Sequence, residues 1–462
     1  LKSSIMLFNS IPFLIFFTNF IFFVYFLRNH WKIVTILFSI FFYAYWNIYF
    51  CLLLLTEALF IWFIGHLIQS NSIQKKIYLY IGLIIPLFIL FIFKYFNFFI
   101  SDVLSLEINN SILIKIILPI GISFYTFQSI MYVVDVYKSK LINTSLQNFL
   151  VFFLFFPNLI AGPLVRPNSF IPQIKRGIIF NYKNFKTAVI LILWGYFLKL
   201  CISNNLVLYV DNVFNHITDV NSPTLLMGSF FYSFLIYSDF AGYSLISIGI
   251  AKMIGLNIPA NFKNPFFSIN LTEFWRRWHI SLSSFLRDYL YIPIGGSKFG
   301  LLKTCRNILI VMLLGGLWHG ASFNFIIWGA LHGIFLCIEK LNNFYLKIDI
   351  KNKFLKKIYT FILVAIIFIP FGIPSFESLI LFYETLNFYE ILQFSQIIEK
   401  FYVIRNILLI LILLLVESLI NRKNFILIRN NYYLYGFLIT MLLTLIICFA
   451  NFNETSFIYF QF

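Results

Sequence analysis

Residues 315–333 read GGLWHGASFNFIIWGALHG, and in this apolar run His319 and His332 are the only side chains that take up a proton near neutral pH. Desolvation favours the neutral imidazole, the form that a general base requires. A histidine at membrane depth is therefore a candidate for proton transfer, although it also serves as a hydrogen-bonder between helices. On one continuous helix these two residues, thirteen positions apart, would lie about 140° apart around the axis, too far to face one pocket. Gly316 and Gly320 leave room for a ligand or a close crossing beside His319, whereas Gly329 and Gly333 form a small-xxx-small pair beside His332. The expectation is chemistry at His319 and packing at His332.

A third histidine, His279, falls in NFKNPFFSINLTEFWRRWHISLSSFLRDYLYIPIGGSK, residues 261–298. This stretch is too polar for a lipid-facing span and too aromatic for an ordinary loop. Trp275, Trp278, Leu282, Phe285 and Tyr289 follow spacings of three and four, which predicts an amphipathic helix at the interface, with Thr272 as its N-cap and Pro293, Gly295 and Gly296 as its stop. Arg276, Arg277 and Arg287 are candidates to contact headgroups or the phosphates of an anionic substrate. Asp239, in YSDFAGYS, is an intramembrane carboxylate expected to pair with one of these arginines in a structural role.

Other signatures are missing from the chain. It has no Walker A loop and no dinucleotide fingerprint, and Gly242-Tyr243-Ser244-Leu245-Ile246 lacks the closing glycine of a nucleophile elbow. Cys51, Cys201, Cys305, Cys337 and Cys448 are isolated and odd in number, and no histidine–carboxylate cluster has metal-ligand spacing. Neither a disulfide framework nor a metal is expected. What remains is a histidine-centred transfer reaction or a transport path.

The elements that must position these residues are membrane helices. Of 462 residues 61% are hydrophobic, 21% aromatic and only 11% charged, with a mean hydropathy of +0.90. Uncharged stretches run from Ser3 to Leu27, Ile33 to Thr56, Ile77 to Phe93, Ile142 to Val165, Asn307 to Ile338, Ile358 to Phe376 and Asn430 to Asn453. Further apolar runs carry one charge each, among them Lys94, Lys115, Lys199 and Asp239. The expected fold is all-α and polytopic, with about ten to twelve spans plus interfacial or re-entrant helices, in one membrane domain over residues 1–462. The first stretch is too long for a signal-peptide core and lacks a small-residue cleavage site, so it is read as a retained anchor. The net charge of +17 sits in short clusters between spans, such as Arg28 and Lys32, Lys75 and Lys76, and Lys351 to Lys357. That is a positive-inside pattern facing lipid headgroups, not a nucleic-acid surface, and it suggests an external N-terminus.

Three motifs carry a resemblance: FWRRWHISLS from Phe274, LRDYLYIPIGG from Leu286 and GGLWHGA from Gly315. Together they resemble the signature of the membrane-bound O-acyltransferase family, in the subgroup holding the membrane subunits of alginate and peptidoglycan O-acetyltransferases and the D-alanyl transfer protein of teichoic acid. MLFNSIPFLIFF from Met6, PIGISFYTFQSIMYVVDVY from Pro119 and FFPNLIAGPLVRP from Phe155 agree, and Met6 matches the usual start. The resemblance implies a helical bundle around a central funnel and tunnel, in the bacterial cytoplasmic (inner) membrane. It implies His319 as the catalytic residue, His279 as the second catalytic position, and acetyl-CoA as a cytoplasmic acyl donor. Trp318, Arg276, Arg277, Arg287 and Asp239 are then candidates for substrate binding. In related systems a separate periplasmic SGNH/GDSL-like O-acetyltransferase finishes the transfer, so a partner of that type is implied. The Phe-, Ile-, Lys- and Asn-rich composition points to an AT-rich genome and favours peptidoglycan over alginate as final acceptor. Two other classes stay open at this point: a transporter with His279 and His319 as proton relay, and a scaffold in which neither histidine matters.

Overall fold

The computed structural model describes residues 5–70, 73–104, 117–142, 144–159, 162–387, 400–419 and 422–452. Lys115, residues 1–4 and residues 160–161 of the FFPNLIAGPLVRP motif lie outside them. The described residues are 81% helical and hold no strand. Among them nine helices are long and apolar enough to cross a bilayer, ten if the bent pair Ile11–Phe26 and Arg28–Trp46 is counted as one span. The architecture is that of an all-α polytopic membrane protein. All five cysteines are free thiols.

The chain divides into two compact units, Leu1–Ile192 with Ser244–Pro259, and Leu193–Tyr243 with Ala260–Phe462. In the first, Ile48–Ser70, Lys75–Leu90 and Ile122–Tyr137 pack together. Buried polar groups tie them down: Ser129 Oγ donates to Glu57 Oε1 at 2.8 Å, and Tyr43 OH donates to the Ile120 carbonyl at 2.7 Å. Without water, such groups need protein partners. The stretch from Ile142 to Val165 does not span. Its helix Leu146–Leu154 ends at Phe155, where ψ is 101°, and the four-residue turn Phe156–Leu159 follows. Nine residues rise only about 14 Å, half a bilayer core.

The second unit holds all the residues singled out for chemistry. Its centre is the hairpin of Leu301–His319 and Phe323–Leu341. The run that reads as one apolar segment is broken immediately after His319, where Gly320 and Ala321 leave helical geometry and the chain reverses. The angular separation expected for a continuous helix therefore does not apply. Close approach of the two arms requires glycine: a Cβ at Gly316 would lie 2.2 Å from the Phe325 carbonyl oxygen, and one at Gly329 would lie 2.4 Å from that of Met312.

The long helix Ser222–Met253 gives residues 222–243 to this unit. Against it lies a π-helical segment, Phe197–Ser203. Asp239 pairs here, not with an arginine but with Lys199, Nζ to Oδ1 2.6 Å, both side chains almost fully buried. Arg276 and Arg287 are exposed and Arg277 is half-exposed, whereas a carboxylate at membrane depth needs a cation at the same depth, which Lys199 supplies.

The hairpin geometry yields a contrast. Gly316→Ala forces the Phe325 carbonyl away and is expected to cost about 1–3 kcal/mol, read as a lowered Tm in detergent. Gly436→Ala, where an added Cβ meets nothing within 4 Å, is expected to be neutral or stabilising, since alanine is the better helix former.

Candidate functional site

The segment predicted as one amphipathic helix is two helices joined by a sharp break. Leu271–Arg277 and Ile280–Leu286 flank Trp278 and His279, and His279 takes the left-handed conformation, φ +42° and ψ 53°. A non-glycine residue holds this conformation only where its surroundings impose it. The N-cap of the first helix is Asn270, whose side chain accepts from Glu273 N at 2.7 Å; Thr272 lies inside the helix. The Glu339 carboxylate accepts from Leu271 N at 2.9 Å and Thr272 N at 3.2 Å, so a charge on the hairpin holds the helix start. Helical geometry continues to Tyr291 and ends before Gly295 and Gly296, both at positive φ, as the Pro-Gly-Gly signal predicts.

Asn261 organises the break. Its Oδ1 faces three donors: His279 Nδ1 at 3.1 Å, Ser281 N at 3.3 Å and Ser281 Oγ at 2.9 Å. Its carbonyl accepts from Ile280 N at 2.8 Å. An oxygen that receives the other two donors can only accept from the imidazole, which assigns the proton to Nδ1 and the lone pair to Nε2. Burial with no exposed surface pulls the pKa of His279 down to about 3, so the ring is neutral.

His279 and His319 meet. Their ring centroids are 6.5 Å apart, within a shell of aromatic side chains. His279 packs edge-on to Phe240 at 4.5 Å and faces Trp318 at 5.9 Å. His319, the last residue of its helix, is ringed by Trp318, Trp328 and Phe371 at 4.9, 5.0 and 5.0 Å. Both imidazoles are buried. Two buried imidazoles within one aromatic shell, one of them neutral, are an arrangement suited to proton transfer. His332 is elsewhere in the same layer: Trp275 Nε1 donates to its Nδ1 at 3.3 Å, and its ring stacks on Phe274. That contact ties two helices together.

The arginines do not gather at the imidazoles. Arg277 pairs with Glu273 at 2.5 Å and Arg287 with Asp288 at 2.7 Å, and Arg276 is exposed. Among the described residues no group of three His, Cys, Asp or Glu side chains is arranged to hold a metal. Sequence reasoning missed Asn261, Trp328, Phe371 and Glu339. Asn261 lies 18 residues from His279, a separation with no helical or motif periodicity.

The model of the membrane-bound O-acyltransferase family matches residues 38–376. The chain is 38% identical to a peptidoglycan O-acetyltransferase of Helicobacter pylori over 67% of its own length and 64% of the relative's. It is 36% identical to a probable alginate O-acetylase of Pseudomonas aeruginosa, over 82% of the chain and 75% of the relative. A teichoic acid D-alanyltransferase of Bacillus subtilis is 30% identical over 56% of the chain and 68% of the relative. The chain thus spans less than two thirds of the Helicobacter protein.

The burial of His279 has a pH signature. Its folded pKa of about 3 lies below the ordinary value near 6.5, so the unfolded chain takes up the proton first as pH falls. Its stabilising contribution is complete above pH 6.5 and is lost progressively below, by up to about 1.4 kcal/mol per pH unit. Melting of wild type and His279→Gln between pH 7.5 and 5 is expected to show a steeper loss in wild type; parallel curves would mean that His279 is solvated.

Proposed function

Because this chain belongs to the membrane-bound O-acyltransferase family, we propose that it is a membrane O-acetyltransferase whose chemistry runs through His319 assisted by His279. The observation that carries the reading is the 6.5 Å separation of two buried imidazoles in one aromatic shell. The donor is acetyl-CoA, entering from the cytoplasmic side of a bacterial inner membrane. His319 takes the proton of the acceptor hydroxyl as its oxygen attacks the thioester carbon. The C–S bond breaks, and the proton passes from His319 to the departing CoA sulfur, so the imidazole returns neutral. Such general base assistance contributes about 10²- to 10⁴-fold. His279 stays neutral and, held by Asn261, forms the wall that places the acceptor hydroxyl beside His319. Trp318 and Trp328 wall the site and exclude water, which would otherwise hydrolyse the thioester.

Peptidoglycan is the favoured final acceptor, with alginate or another exopolysaccharide second. The names of the Helicobacter and Pseudomonas relatives support an envelope polymer as acceptor. Delivery to the glycan is assigned to a periplasmic SGNH/GDSL-like partner. Arg276 and Arg287, on the exposed side of their helices, suit CoA phosphates or lipid headgroups.

Acetyl release from radiolabelled acetyl-CoA by reconstituted protein tests the reading. His319→Ala is expected to lower turnover by at least about 10²-fold at unchanged folding. His332→Asn is expected to lower Tm by removing the Trp275 contact while leaving turnover per folded molecule close to wild type. Full turnover in His319→Ala, or flux of an acyl substrate without consumption of acetyl-CoA, would refute the proposal.

A further inference from the structure

The second unit carries a groove of about 810 Å³ far from any role assigned above. It lies along the helix Lys400–Leu419 from Arg405 to Ser418, and its opposite walls come from Phe230, Phe234 and Phe361. Thirteen helical rises between Arg405 and Ser418 give it a length of about 20 Å. Leu408, Leu411 and Leu415 are 55%, 55% and 60% exposed, so the groove opens sideways to the surroundings of the helix. Its lining is apolar except for Ser418 and two cations, Lys357 and Arg405, with no acidic residue.

The two cations stand at opposite ends. Asn264 Nδ2 donates to the Glu417 carbonyl at 2.7 Å and Lys357 lies over the Phe267 ring, which ties Lys357 to the Ser418 end. Arg405 Nη2 donates to Asn205 Oδ1 at 2.7 Å, and Asn205 bonds the Phe449 carbonyl, which defines the other end. Their situations differ. Lys357 has the Phe267 ring face at 5.6 Å and acts electrostatically on Glu273. Arg405 has a ring contact with Tyr402 and the single Asn205 bond, but its buried Nε makes no hydrogen bond and no carboxylate lies within 4 Å among the described residues. A guanidinium with a buried, unsatisfied donor beside an apolar groove is incomplete without an anion. It also sits near the N-terminal end of a helix long and apolar enough to span a bilayer, the kind of position where cations meet lipid headgroups.

We infer that this groove is a binding site for an anionic phospholipid, with the headgroup phosphate on Arg405 and one acyl chain along Leu408, Ile412 and Leu415 toward Lys357. Guanidinium is the side chain best suited to phosphate, and the chain direction follows from the apolar walls. The inference is independent of the acyl-transfer reading, since it requires neither imidazole.

The test is lipid retention by purified full-length protein, counted by native mass spectrometry, with thermal shifts on adding phosphatidylglycerol or phosphatidylcholine of identical chains. Wild type and Lys357→Gln are expected to retain one phosphatidylglycerol and to be stabilised more by it than by phosphatidylcholine. Arg405→Gln is expected to weaken retention at least about fivefold, with Arg405→Lys intermediate. Ile412→Trp, which fills the groove and leaves Arg405 in place, should lose the lipid as well and serves where Arg405→Gln fails to fold. Equal effects of the two lipids, or undiminished retention in both Arg405→Gln and Ile412→Trp, would overturn the site.

Discussion

An imidazole can be held away from water at little cost only if one of its nitrogens has a fixed partner, and for His279 that partner is the Asn261 side chain. The same oxygen takes the Ser281 amide and hydroxyl, and the Asn261 carbonyl takes Ile280 N. Four donors converge on one residue, and the left-handed break at His279 follows from them. With the break in place, the ring turns its other nitrogen inward and packs on Phe240. Asn261 thereby sets the tautomer and the position of a ring on another segment.

A second break brings the partner ring to meet it. Helix Leu301–His319 stops at the histidine, and the returning arm can lie close enough because Gly316 and Gly329 carry no Cβ. Trp328 on that arm then contacts both His319 and His332, so one indole joins the chemical layer to the Trp275–His332 contact. The Lys199–Asp239 pair anchors the neighbouring helix one residue before Phe240.

Much of this was legible in the sequence. Hydropathy marked the membrane class, and the glycines beside both histidines marked a close helix crossing, which Gly316 and Gly329 share. The stop signal at Pro293, Gly295 and Gly296 was equally direct. What escaped was everything set by tertiary partners. Periodicity from Trp275 to Tyr289 cannot register a single left-handed residue, because the apolar positions on either side keep helical spacing. Asn261 and Glu339 act at sequence distances of 18 and 68 residues, and nothing local marks them. The expected Asp239–arginine pair failed because the arginines of the interfacial segment remain at or near the surface, while Lys199, on a hydrophobic run, stays at the depth of the carboxylate.

The claim at the centre is that His279 and His319 serve one site and one step. A double-mutant cycle on acetyl release, with His279→Ala, His319→Ala and the double variant, measures it directly. If the two rings act together, the double variant is no slower than His319→Ala alone. If the losses multiply, the rings act independently and the shared site is contradicted.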